Sequence, residues 1–223
     1  DYQHNGTIGG VEQFSITEDG QYLYAQVQLG DYLDTFIVAY ALQQDGSLSY
    51  VNAVDAQRLV GLPSYEKNMA VTSDNNFLFY ASQDVIGVFN INNITGAISY
   101  SAQQRLDDVW SVAIETTRAG QLLVASDKSL SSFSIDNTDG KLTEVDKLVY
   151  EQSETGSPLY MAINPTSDKV VITNQKNVNN VIFAAAVESN GMLSKLTSSS
   201  HNGLYLSLRW SNNKEQLYAA NYF

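Results

Sequence analysis

Residues able to do chemistry are few in this chain and widely spaced. His4 and His201 are its only imidazoles and it has no cysteine, which excludes a thiolate nucleophile, a thiolate metal site and a disulfide framework. A two-histidine metal site would have to use both imidazoles. Each sits in a polar, loop-like stretch with no carboxylate at ligand spacing, so both read as solvent-facing loop histidines and no metal or other cofactor is implied. Ser111 and Ser157 lack the G-x-S-x-G elbow that presents a serine nucleophile, and a Ser-His-Asp triad is unsupported. Asp136-Asn137-Thr138-Asp139-Gly140 has oxygen donors at alternate positions, like the start of a calcium loop, but lacks the distal Glu and reads as a hairpin turn. Asn5-Gly6-Thr7 and Asn93-Ile94-Thr95 fit the N-glycosylation acceptor pattern. Trp110 and Trp210 flank comparable apolar runs. They suit either a ligand platform or, as is commoner for such aromatics, packing between repeats.

The elements that must position these residues are strands. In residues 109–142 an alternating run with Val112 and Ile114 passes a Gly120 turn into Leu122-Leu123-Val124; a third run with Phe133 and Ile135 then passes Asn137-Thr138-Asp139-Gly140 into a strand starting at Leu142. Period-2 runs bounded by Gly, Asn and Asp are the signature of antiparallel hairpins. The same order recurs upstream, from Phe14-Ser15-Ile16 through Asp19-Gly20 and on to Gly46, and from Met69-Ala70-Val71 through Asp74-Asn75 to Gly96. Asn75 stands where the first copy has Gly20, a swap that suits a left-handed turn residue. A fourth copy runs from Met161-Ala162-Ile163 to Gly191, and a fifth begins at Leu206-Ser207-Leu208 with only its first hairpin. A period of roughly 40–50 residues with four strands each indicates propeller blades, because a lone four-stranded sheet cannot cover both its apolar faces.

The predicted fold is therefore all-β: a β-propeller with four complete four-stranded antiparallel blades and a partial fifth, the chain being a piece of a larger propeller. It is read as a single domain, with blades at 9–57, 66–105, 109–147, 156–196 and 203–223. Residues 1–8 are expected to give an edge strand to the last blade, 58–67 and 148–157 to be polar crossovers, and 197–203 to be the last of these. Helix is expected to be almost absent. Inner strands are expected near residues 14–16, 70–72, 112–114, 161–163 and 206–208. Ile114 is matched with Ile16, Val71, Ile163 and Leu208 as a position buried between blades.

A chain of 223 residues that is 43% hydrophobic and 16% charged can bury one substantial core, and its apolar runs are too short to cross a bilayer as helices. The net charge of −12, with no Lys/Arg cluster, excludes a phosphate-tracking nucleic-acid binder. Many Tyr, Ser, Asn and Gln with little Lys suggest an extracytoplasmic protein, and the absence of an initiator Met suggests a segment of a longer precursor with neighbouring domains.

The repeat, an apolar strand, a D-G or N-P turn, L-Y-A or V-A-S, a polar gap, then a strand and a G-x-L hairpin, resembles the lactonase-type seven-bladed β-propeller. That family includes 6-phosphogluconolactonases and YVTN-repeat surface proteins. The resemblance implies a lactonase site with an Arg and a His in a G-x-x-P-R-H type segment, and a Glu at the end of the following strand. The matching segment here is Gly156-Ser157-Pro158-Leu159-Tyr160, followed by Asn174-Gln175. Leu159, Tyr160 and Gln175 thus stand in place of the Arg, His and Glu that acid–base opening of a lactone would use. The expectation is a non-catalytic binding or spacer domain of a secreted or cell-surface bacterial protein such as an adhesin. Its ligand would be a protein or carbohydrate, with Tyr160, Gln175, Tyr205, Trp110 and Asn221 as candidate contacts. The alternative is a lactonase-like hydrolase acting on a sugar lactone at the channel mouth.

Overall fold

The computed structural model describes residues 3–4, 7–29, 34–61, 68–107, 112–151, 156–176, 179–202, 204–211 and 216–222; for residues 3–4, 7–9, 176, 179–180, 201–202, 204–207 and 220–222 it describes the backbone alone. Blade one comprises β1 (Gln3–His4), β2 (Thr7–Ile16), β3 (Tyr22–Leu29), β4 (Asp34–Leu42) and β5 (Leu48–Asp55), followed by a one-turn helix, α1 (Ala56–Leu59). Blade two holds β6 (Met69–Val71), β7 (Phe77–Ser82), β8 (Val85–Ile91) and β9 (Ile98–Arg105). Blade three holds β10 (Val112–Thr116), β11 (Gln121–Ser126), β12 (Ser129–Ile135) and β13 (Leu142–Val149). Blade four holds β14 (Ser157–Ile163), β15 (Lys169–Lys176), β16 (Asn179–Val187) and β17 (Leu193–Asn202), and β18 (Leu204–Trp210) with β19 (Leu217–Tyr222) forms the partial fifth. Each strand pairs only with its chain neighbours, always antiparallel. The inner strands β2, β6, β10, β14 and β18 follow one another around the central channel.

One local device closes every first hairpin. The residue after each inner strand is Thr17, Thr72, Thr117, Asn164 or Ser211, and its side-chain oxygen accepts the N–H of the residue that opens the second strand, or in blade five that of Gln216 just before it, at 2.9–3.1 Å. Short polar side chains do this well because they can mimic a backbone acceptor in a turn. Glycine, asparagine or, in blade four, serine supplies the left-handed residue in between, with φ +70° at Gly20, +59° at Asn75 and +58° at Ser167. The second hairpins turn on Gly46, Gly96, Gly140 and Gly191, all at positive φ.

Between blades the packing is apolar and close. Ala70, Phe79 and Val88 of blade two meet Ile114, Leu122 and Phe133 of blade three; Tyr24 and Ile37 of blade one meet Met69, Leu78 and Phe89 of blade two; Leu123 and Leu130 of blade three meet Ile172 and Phe183 of blade four. A polar clasp repeats along the outer strands. Asn52, Gln104 and Asp146 each accept the N–H of the residue that opens the next blade's outer strand: Ile98 at 3.1 Å, Leu142 at 3.3 Å and Leu193 at 2.8 Å. At Gly96 glycine is required by close approach as well as by its positive φ, since a Cβ there would collide with the Tyr22 ring, whereas one at Gly46 meets nothing.

In blade one the inner strand β2 is open on the face turned away from blade two, although Ala25, Val27 and Val38 on that same face are buried. Phe14, in the place that Met69 takes in blade two, is 60% exposed while Met69 is fully buried. Four expectations need correcting. Counted from the capping residue, Ile114 corresponds to Phe14, Met69, Met161 and Leu208, so Ile16, Val71 and Ile163 belong one pleat further along on the same face. The N-terminal strand β1 pairs with β2 of blade one, through Gln3↔Ile8 and His4↔Thr7, and adds nothing to the last blade. Residues 197–202 are not a crossover but the second half of β17. His4 and His201 accordingly lie on strands β1 and β17.

Candidate functional site

The channel has two mouths, one where the inner strands begin and one where they end. At the first, blade four pairs Ser157 with Gln175, Pro158 with Asn174, and then Tyr160 with Thr173, leaving Leu159 as a bulge. Because side chains alternate, that one-residue slip moves Tyr160 onto the face that Thr173 and Gln175 share. The structure therefore brings Tyr160 and Gln175 together, both half-buried. Equivalent bulges fall at Glu12 in blade one and Leu206 in blade five. In blade one, the residue matching Tyr160 is Gln13, which donates to the Met69 carbonyl (3.1 Å) and accepts the Asn68 N–H (2.9 Å) of the next blade. Tyr205 and Asn221 are directly paired across β18 and β19; Trp110 lies outside the described residues.

Asp127, in the bend between β11 and β12, is a neighbour that sequence reasoning passed over. Its carbonyl accepts the Gly156 N–H at 3.1 Å, and its buried Oδ1 has no hydrogen-bond partner among the described residues. Its only sequence signal is an Asp in the tight connection Ser126-Asp127-Lys128-Ser129, which also reads as an ordinary turn. A leucine and an amide can neither take nor give a proton, so Leu159 and Gln175 supply packing and hydrogen bonds, and the Tyr160 phenol adds a donor, an acceptor and a ring face.

At the second mouth the ends of all five inner strands surround a cavity of about 520 Å³. Hydrogen bonds link four successive turns around it. Asn75 Oδ1 accepts the Glu18 N–H (3.0 Å), Ser73 donates to the Arg118 carbonyl (3.3 Å), and Ser167 Oγ accepts the Arg118 N–H (3.0 Å). The Arg118 guanidinium spans blade two to reach Glu18 at 2.9 Å. Trp210 anchors its indole edge by donating to the Ala162 carbonyl of blade four at 3.3 Å, a packing role, while also lining the cavity. Two turn carboxylates lie below the usual range. For Asp74, burial pushes upward but hydrogen bonds from the Thr72 hydroxyl and from Asn76 outweigh it; for Asp168, the Asn164 amide and the Thr166 hydroxyl are responsible.

Asp136 behaves as a turn residue: its Oδ1 accepts the Thr138 N–H at 2.8 Å, and the Asp139 carboxylate accepts from Lys141 N–H at 2.9 Å. No group of three or more His, Asp or Glu is placed to hold a metal among the described residues. No helix there is long and apolar enough to cross a membrane.

Four-stranded antiparallel blades in sequence order around a channel define a β-propeller, and the resemblance to the lactonase type holds. Residues 64–155 match the family described as lactonase, 7-bladed beta-propeller. Among solved structures, a putative 6-phosphogluconolactonase from Bacteroides uniformis is similar at 15% identity and TM-score 0.66, over 94% of this chain and 77% of that one. The periplasmic gluconolactonase of Pseudomonas aeruginosa is similar at 21% identity and TM-score 0.60, over 87% of this chain and 55% of that one. Kuenenia stuttgartiensis hydrazine synthase reaches TM-score 0.69 at 14% identity, over 99% of this chain and 59% of that one. The chain thus spans little more than half the length of the last two. No curated protein matches the sequence. Likeness at such identities shows the fold alone, and unrelated chemistries share it.

Proposed function

We propose that this chain is a non-catalytic, ligand-binding propeller from a secreted or cell-surface bacterial protein, an adhesin being the kind that fits best. The observation that carries this reading is the bulged register at the start of β14, which sets Tyr160 and Gln175 on one face, in the places where a lactonase site would have its His and Glu. A protein or carbohydrate ligand would meet Tyr160 and Gln175 there, with Tyr205, Asn221 and Trp110 as further contacts. The periplasmic location named for the Pseudomonas relative supports an extracytoplasmic setting. The rival reading, a sugar-lactone hydrolase, draws on the named relatives and on Asp127, whose backbone carbonyl accepts the Gly156 N–H and whose Oδ1 is buried without a partner among the described residues.

Lactone hydrolysis separates the two. Purified protein is expected to leave the hydrolysis of 6-phosphogluconolactone and gluconolactone at the buffer rate. Turnover that Asp127→Asn or Tyr160→Phe abolishes, with the thermal melt unchanged, would establish the hydrolase instead.

A further inference from the structure

We propose that the cavity where the inner strands end is a second binding site, for a neutral sugar of about two residues, separate from the Tyr160 group at the opposite mouth. The inference goes beyond the reading above, and it stands whether or not lactones are turned over. Three features point to that ligand class. The cavity, about 520 Å³, falls in the range of small-molecule sites. Its charges balance, Glu18 and Glu115 against Arg118 and Arg209, although the chain as a whole carries −12. An anion would gain little there against the field of the whole molecule, and a cation would face two guanidinium groups. A polyol, by contrast, can use carboxylate acceptors and guanidinium donors together.

The second feature is the wall. Ile16, Ile163 and the half-buried Trp210 give the cavity an apolar side, with the Trp210 ring fixed at its edge by the Ala162 carbonyl. An aromatic ring held in place offers a flat apolar face to the C–H side of a sugar at low entropic cost. Thirdly, the polar groups are distributed and preorganised. Arg118 is held by backbone bonds to Ser73 and Ser167 and by its ion pair to Glu18, so its remaining guanidinium donors project from a fixed place. Groups arrayed around a ring suit hydroxyls arrayed around a ring, whereas a peptide strand presents its donors along one line and needs a free sheet edge.

Indole fluorescence reads this directly. In a Trp110→Phe protein Trp210 is the sole tryptophan, and its emission is followed during titration with maltose, cellobiose and diacetylchitobiose, with sodium gluconate and a blocked neutral tripeptide as comparators. At least one neutral disaccharide is expected to shift the emission saturably, and Arg118→Ala to weaken that binding about tenfold, as loss of a charged donor should. Because Arg118 also ties blades together, Glu115→Gln serves as a second variant, and saturation-transfer NMR on the unmodified protein checks that the sugar contacts an indole. Tyr160→Phe should leave the sugar titration unchanged. Silence across the three disaccharides, tighter binding of gluconate or the tripeptide, or loss of the signal in Tyr160→Phe would each overturn the assignment.

Discussion

Shortening Ile114 to alanine would open a hole between β10 and the Phe79 and Ala70 side of blade two, where the isoleucine is fully buried. Such truncations cost the transfer free energy of the lost groups and a cavity term besides, so Ile114→Ala is expected to destabilise by about 2–5 kcal/mol. Phe14 occupies the same place in blade one yet is largely exposed, so Phe14→Ala should cost below about 1 kcal/mol. Urea melts of the two variants decide the matter. Equal losses would mean that Phe14 is covered in solution, and a negligible loss at Ile114 would place the blade interface elsewhere.

Turn carboxylates carry part of the pH response. Asp168 and Asp74 accept hydrogen bonds that hold their carboxyls below the ordinary value in the folded state. A depressed folded pKa stabilises the fold above the unfolded carboxyl value of about 4, and that contribution disappears as pH falls through the folded pKa. Stability should therefore drop as pH falls from neutral into the acid range, and Asp168→Asn, which keeps an oxygen for these bonds, should slightly flatten that dependence, the carboxylate being largely solvated. Urea midpoints at neutral and acid pH test this; an Asp168→Asn protein with the wild-type slope would assign the acid sensitivity to other carboxylates.

Across the whole molecule, protection from hydrogen exchange should follow blade coverage. Strands β7 and β11 are buried along their full length between neighbours, whereas the outer strands β5, β9 and β13 are largely exposed, β5 beginning with three exposed residues. Stability in stacked repeats is distributed through nearest-neighbour interfaces, so amides of β7 and β11 should exchange slowest and those of β5 much faster. Uniform protection in a mass-spectrometric time course would contradict a fold built from such separable interfaces.

The sequence by itself determined the blades: alternating runs, the Gly and Asn turn residues and a period near 50 are local features, and they led to the inner strands and to the replacement of Gly20 by Asn75. It also displayed the caps at Thr17, Thr72, Thr117, Asn164 and Ser211, although their shared role emerges only when each is seen to accept an N–H at the start of the next strand. Of the candidate site, the residues Tyr160 and Gln175 were legible as types, but their joint placement was not. Only the tertiary structure decided the Leu159 slip that puts them on one face, the pairing of β1 with blade one, the exposure of Phe14 on the inner strand of blade one, and the cavity that Arg118 and Glu18 bridge from 100 residues apart. Each of these depends on register or on contacts between distant strands, and a period-2 pattern reads the same whichever partner a strand finds and whichever way a bulge slips it.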